Sequence, residues 1–345
     1  MTVSAVKILQ PGEISGMPAD DTPLLVVPQN AKLLFEDRAR RLEQLAPAAE
    51  MPDWLRFCAT LARAQAACVT AVEPLPIDED AARESLRHGL PPLSITTWPA
   101  GAGWDAARQA LIDALVGTGL QAQPGAALAR WREASAESSA ALARDFLAAN
   151  EHAVPPEFAP FIGATLQVIW TASAVRLESL TSVYKGENAL CPICGSHPVA
   201  SAVRTGNRDS HRYLVCSLCA SEWYAPRARC TNCDTPKEVS LLGLTRESAV
   251  QGECCDDCHG YIKLMVQSRD PQLEVVADDL GTITLDLALA REGYQRTGRN
   301  LFFTGGNDTS GDADRDSGNA AGNNGNISSG SDSGRGSDAR RNQGH

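Results

Sequence analysis

From Asn30 the apolar positions Leu33, Leu34, Ala39, Leu42 and Leu45 return every three or four residues, with Arg38, Arg40, Arg41 and Glu43 between them. That period places the apolar residues on one stripe of a helix. Pro47 and Pro52 punctuate this helix and a second one that carries Trp54, Leu55, Cys58, Leu61 and Ala62. Proline-containing connections follow at 74–76 and 91–99. A third helix is predicted from Asp105 through Ala107, Leu111, Ala114 and Leu115 to Gly117, and a fourth over 127–149, stopped by Pro155 and Pro156. The stretch from Phe161 to Val175 is the most apolar of the chain, yet Thr165, Gln167, Thr171 and Ser173 interrupt it. It reads as a buried helix within 161–181, too polar and too short to cross a bilayer. Alanine-rich helices with few β-branched runs point to a bundle over 30–185. A shorter helical pattern (Leu280, Ile283, Leu287) opens at Asp278 and Asp279, where acids favour a helix N-terminus. Capping is therefore the expected role of these two carboxylates.

Residues 304–345 break this pattern. One Ile is the only large apolar side chain among Gly, Asn, Ser and Asp, so nothing offsets the entropy of ordering and a disordered tail is expected. Residues 1–29 carry no helical period and read as an extended segment. They also lack the apolar core and cleavage site of a signal peptide, so a cytoplasmic protein is expected.

The 345 residues suffice for about two domains of ordinary size. A net charge of −11 argues against a surface built to grip nucleic acid or anionic lipid. Cysteine changes the picture most: nine of the eleven lie between Cys191 and Cys258. They form four C-x-x-C pairs, Cys191/Cys194, Cys216/Cys219, Cys230/Cys233 and Cys255/Cys258, in which every member recurs after 39 positions. Four coincidences at one offset mark an internal duplication. In a reducing compartment such pairs are metal ligands or redox thiols rather than disulfides. Two C-x-x-C turns complete a tetrahedral four-cysteine site, and the 21 residues between them have room for a β-hairpin. Cys191-Pro192-Ile193-Cys194-Gly195 resembles the first turn of rubredoxins and zinc ribbons. Zn2+ and a single Fe both accept four thiolates, so the spacing leaves the metal open. A module this poor in large apolar residues would need its metals to fold.

Other candidates read blandly. Cys254 falls outside the repeat and is a spare thiol, while Cys58 and Cys68 are small core residues. His197, His211 and His259 do not occupy repeat positions. Residues 191–233 are net +3 through Arg204, Arg208, Arg212, Arg227 and Arg229, and residues 234–263 are net −3. A basic ribbon could touch phosphate, but scattered arginines more often face solvent or a partner. Tyr213, Trp223 and Tyr224 either pack over the metal turns or form a docking patch. No P-loop, dinucleotide fingerprint, nucleophile elbow or H-E-x-x-H is present.

The segments CPICGSHPVA, RYLVCSLCASEWY, RARCTNC, ECCDDCHGYIKL, VADDLGTITLDL and GYQRTGRN, with FEDRARRLEQLA and LRFCATLARAQ upstream, resemble the formate dehydrogenase accessory proteins of the FdhE family over about residues 30–303. The resemblance implies a non-catalytic cytoplasmic factor that docks the immature catalytic subunit of respiratory formate dehydrogenase and carries two rubredoxin-like sites. Their ligands would be Cys191, Cys194, Cys216 and Cys219 for one ion, and Cys230, Cys233, Cys255 and Cys258 for the other, with Fe or Zn bound. Ala220, Asp234 and His259 stand where Gly would follow the later pairs. Arg212, Tyr213, Glu222, Trp223 and Arg229 are the candidate partner-binding residues. A homodimer is compatible with such a factor, and neither nucleic acid nor membrane insertion is expected. The expected fold is thus a mainly α helical domain at 30–185, a duplicated metal-binding module of rubredoxin-like or zinc-ribbon β-hairpins at 186–270, a C-terminal helix and strap at 271–303, and the tail. A rubredoxin-like electron-transfer or thiol-redox protein is the alternative reading.

Overall fold

The computed structural model describes residues 3–9, 22–99, 101, 103–206, 211–227, 229–236 and 239–303. The expected disordered tail lies outside them. Helices, a β-rich region with two tetracysteine clusters and C-terminal helices follow one another in the expected order.

The helical part begins with α1 (Ala31–Leu45) and α2 (Pro52–Cys68). Asn30 caps α1 by accepting from the Leu33 N–H, and Pro52 starts α2 where its missing N–H costs nothing. Helix α3 (Glu79–Arg87), capped by Asp78, falls in a stretch to which the sequence pattern assigned no element. Helix α4 (Trp104–Leu115) matches the third predicted helix. The predicted fourth helix is two: α5 (Ala122–Glu133) and α6 (Ala136–Leu147). Ser135 separates them, its hydroxyl accepting from the Ser138 N–H and so restarting the helix as a cap. Alanine periodicity runs through the break and conceals it.

Helix α7 (Ala159–Val175) is the centre of the bundle, with every residue but Ala172 and Val175 buried. A 3-10 turn at Glu178–Val183 follows in place of a continued α-helix. Trp98 meets Trp104 and Trp170 edge to face, with centroids 5.9 and 5.1 Å apart, and Trp104 does the same with Trp131 at 6.4 Å.

The β-rich part repeats one ribbon. The first copy is β3 (Pro198–Val203), β4 (Arg212–Cys216) and β5 (Glu222–Tyr224). The second is β6 (Val239–Gly243), β7 (Val250–Cys255) and β8 (Gly260–Val266). Each ribbon is antiparallel, and the two join through parallel pairing of β8 with β3. Short strands from the N-terminal segment cover both outer edges: β1 (Ser4–Leu9) pairs with β6 and β2 (Leu25–Val26) with β5. Edge strands covered in this way cannot template pairing with another chain.

Two C-terminal helices, α8 (Val275–Gly281) and α9 (Ile283–Arg291), replace the single one expected. Glu274, not the Asp pair, caps α8 through the Ala277 N–H. Asp278 accepts from the Glu274 N–H but mainly pairs with Arg41 of α1 at 2.7 Å. Asp279 is buried in a network with Arg296, Lys263 and Asn300. The capping reading therefore holds in part for Asp278 and fails for Asp279, whose burial demands cationic partners. Short strand β9 (Gln295–Arg296) then pairs parallel with β8, and the chain beyond it lies against α7. A Cβ on Gly163 would come within 2.7 Å of the Leu301 carbonyl oxygen, so only Gly admits that approach.

Candidate metal centres

The repeated ribbons carry the cysteines to equivalent places. In each copy the first C-x-x-C precedes the ribbon, and the second pair spans the turn between its middle and last strands. Cys216 ends β4 and Cys255 ends β7. Two groups result, Cys191/Cys194/Cys216/Cys219 and Cys230/Cys233/Cys255/Cys258, with the sulfurs of each within 4.8 Å of one another. The Sγ–Sγ distances are 3.6 Å for Cys191–Cys219 and 3.4 Å for Cys194–Cys216. In the other group they are 3.7 Å for Cys230–Cys258 and 3.8 Å for Cys233–Cys255. A disulfide needs about 2.05 Å. A tetrahedron of thiolates at about 2.3 Å from a metal has edges of about 3.8 Å. The donor set and its spacing thus fit a four-coordinate thiophilic ion at either place.

Local backbone geometry explains the shape of each turn. Gly195, Ala220, Asp234 and His259, the residues after the second Cys of the four pairs, all have positive φ, between 53° and 77°. There the chain reverses: the Gly195 and Asp234 N–H groups donate to the carbonyls of Cys191 and Cys230 at 2.8 and 3.0 Å. Backbone N–H groups also aim at sulfur. Leu218 and Cys219 donate to Cys216 Sγ at 3.3 and 3.4 Å, and Asn232 donates to Cys230 Sγ at 3.4 Å. Such donors stabilise thiolate and set its basicity towards a metal.

One thiol in each group is favoured as thiolate. Burial pushes Cys258 up, but hydrogen bonds from the Asn232 side chain, the Gly260 N–H and neighbouring thiols outweigh it and bring the group to about 7. Burial likewise opposes ionisation of Cys219, and hydrogen bonds from Cys191, Cys194, Cys216 and Ser221 bring it well below the ordinary value. Cys58, Cys68 and Cys254 join neither group. Burial raises all three, Cys68 to about 12, as expected of inert core thiols.

Several supporting residues escaped the sequence reading. Gln167 of α7 donates to the Ser217 carbonyl at 2.8 Å, and its own Oε1 accepts from Gln65 and Arg38 at 3.0 and 3.1 Å. Thr171 donates to the Leu218 carbonyl at 3.5 Å. The N–H groups of Leu93 and Ile95 donate to the carbonyls of Ile193 and Cys194 at 2.9 Å each. The first group is therefore held by the helical bundle on both of its turns. The signal for it was present: Gln167 and Thr171 are polar interruptions, one helical turn apart, in the most apolar helix.

The second group is supported from the first ribbon. Arg212 of β4 pairs with Glu253 of β7 at 2.7 Å and donates to Thr231 Oγ1, inside the Cys230 turn, at 2.8 Å. Ser201 of β3 donates to the same Glu253 at 2.6 Å.

The five candidate partner-binding residues fall in different surroundings. Arg212, Tyr213 and Trp223 are buried; Tyr213 donates to the Pro23 carbonyl and Trp223 to that of Asn188. Glu222 pairs with Arg204, and Arg229, half-exposed, pairs with Glu187 and Asp234. Arg212 and Tyr213 follow one another on β4 and so face opposite sides of the sheet, and every position of that strand is buried, so both sides are covered and these side chains hold sheet and loop together. Three of the five arginines of the basic half are thereby neutralised, which leaves no bare cationic stripe for phosphate among the described residues. Arg208 lies outside the described residues. Of the histidines, His197 and His259 are exposed and His211 half-buried, and none joins a sulfur group.

No helix among the described residues is long and apolar enough to cross a membrane. Family models described as the N-terminal, central and C-terminal domains of FdhE match residues 22–187, 190–227 and 228–303. Protein FdhE of Escherichia coli K12 is 36% identical over 291 residues, covering 83% of this chain and 92% of the relative. The FdhE homolog of Pseudomonas aeruginosa is 36% identical over 307 residues, covering 87% and 98%. The crystal structure of the FdhE protein from Pseudomonas aeruginosa superposes with a TM-score of 0.75 at 35% identity, covering 82% of this chain and all of that one. With family models spanning both the bundle and the duplicated ribbons, the chain belongs to the FdhE family.

Proposed function

We propose that this chain is a non-catalytic accessory factor in the cytoplasmic maturation of formate dehydrogenase. It holds two metal ions, Zn2+ or Fe, through Cys191/Cys194/Cys216/Cys219 and Cys230/Cys233/Cys255/Cys258, and docks the immature catalytic subunit through the surface that those ions organise. The observation that carries the reading is the pair of tetrahedrally spaced sulfur groups in a chain of the FdhE family. When bound, the ion cross-links two turns that the small ribbons could not hold alone. The residues of the chain do the rest: Gln167, Thr171, Leu93 and Ile95 fix one site to the bundle, and Arg212 fixes the other to the sheet.

The test is capture of a formate dehydrogenase catalytic subunit from formate-grown cells by the tagged full-length chain, alongside the formate dehydrogenase activity of a strain lacking its own factor. Capture and restored activity are expected for the wild type, and loss of both for Cys230→Ala. Full restoration by a metal-free, Cys-substituted chain refutes the metal role. A second reading, electron transfer, is favoured only by the solvent-exposed Cys233. It requires a reversibly reducible iron centre, and a zinc-loaded protein of full activity dismisses it.

A further inference from the structure

The duplication makes the two sulfur groups comparable position by position, and their surroundings differ. In the first, all four cysteines are buried; in the second, Cys233 is exposed and Cys258 half-buried. The turn residues account for this. Ile193 and Leu218, which fill the first group's turns, are 0% and 1% exposed. Thirty-nine positions on, their counterparts are Asn232 and Asp257, both exposed. Apolar turn residues drive one group under the bundle, while polar ones keep the other at the surface. The carboxylates Asp256 and Asp257 flank the exposed group, and negative charge beside a site raises the local concentration of divalent cations.

We propose that the two centres are unequal. The Cys191/Cys194/Cys216/Cys219 centre is a closed structural lock. The Cys230/Cys233/Cys255/Cys258 centre is where a thiophilic divalent ion enters and leaves and where sulfur meets reagents. This rests on the reading that both groups bind metal. A chelator or alkylating agent reaches Cys233 without any opening of the fold. To reach the first centre, the 91–98 segment must separate from the Cys191 turn, breaking the Leu93–Ile193 and Ile95–Cys194 bonds, or α7 must release Ser217. Such openings approach the cost of global unfolding, whereas exposed turns open freely.

The experiment uses the full-length chain loaded with two equivalents of Zn2+. A chromogenic chelator follows zinc release, and mass spectrometry of iodoacetamide-treated peptides follows the thiols. One equivalent is expected to leave at least ten times faster than the other, with Cys233 and Cys258 alkylated before any cysteine of the first centre. Cys233→Ser should abolish the fast equivalent alone. Release of both equivalents at one rate, first labelling at Cys191, Cys194, Cys216 or Cys219, or loss of the slow equivalent in Cys233→Ser overturns the proposal while leaving the metal reading intact. A chain that binds no zinc overturns both. The wild-type release curve decides the matter even if the variant fails to fold.

Discussion

Gln167 ties the helical bundle to the first tetracysteine group. It is 2% exposed and makes three hydrogen bonds: its Nε2 donates to the Ser217 carbonyl, and its Oε1 accepts from Gln65 and Arg38. Gln167→Met keeps the volume and helix propensity but supplies no hydrogen bond. The variant therefore strands a buried carbonyl, a buried amide N–H and a guanidinium N–H. Arg38 keeps its pair with Glu274 at 3.1 Å, so its loss is partial. Each neutral orphan costs about 1–3 kcal/mol and a charged one more, with some relief by repacking, so a net loss of about 3–5 kcal/mol is expected. Urea unfolding of the zinc-loaded protein, followed by tryptophan fluorescence, reads this as a lower midpoint at unchanged slope. The slow equivalent of zinc should leave faster in parallel, because the Ser217 turn has lost its anchor. A loss below about 1 kcal/mol, with zinc release unchanged, would refute the claim that α7 holds this centre through Gln167.

Other outcomes follow from the same geometry. Gly195→Ala should cost about 1–2 kcal/mol in urea unfolding through its positive φ alone, because the added Cβ would make only an ordinary van der Waals contact, 3.5 Å from the nearest Pro91 atom. Ala220→Gly, at φ 58°, should change stability in the opposite sense by a smaller amount. Arg212→Met should cost about 3–5 kcal/mol by leaving Glu253 charged and buried, and the double variant with Glu253→Gln should cost less than the sum of the singles in a double-mutant cycle. Asp279 links stability to pH: burial raises its pKa, but Arg296 and Lys263 outweigh this and hold it below the ordinary carboxylate range. Its contribution is therefore present above the unfolded-state pKa and lost as pH falls through the lower folded one. The stability gap between wild type and Asp279→Asn, measured by urea unfolding, should accordingly narrow from pH 6 to pH 3.

The sequence by itself determined what depends on short-range pattern. Helical periodicity located α1, α2, α4 and α7, and the 39-residue offset identified eight cysteines as two sets of four, because a C-x-x-C turn converges its sulfurs whatever surrounds it. It missed α3 and the break at Ser135, where a cap decides and the apolar period does not. Tertiary structure decided the rest. Parallel pairing of β8 with β3 fuses the two ribbons into one sheet, and an interaction between strands some sixty residues apart leaves no local trace. Both faces of that sheet are covered, so Arg212, Tyr213 and Trp223, for which the sequence offered packing and docking alike, are buried ties of the fold. Burial recast Asp279 from a cap into an ion partner of Lys263 and Arg296. The inequality of the two centres lies between these cases. Ile193 and Leu218 against Asn232 and Asp257 were written in the sequence, but only the packing of α7 over one pair of turns gave the difference a meaning. Apolar turn residues bury a cluster of thiols when an apolar surface is there to receive them.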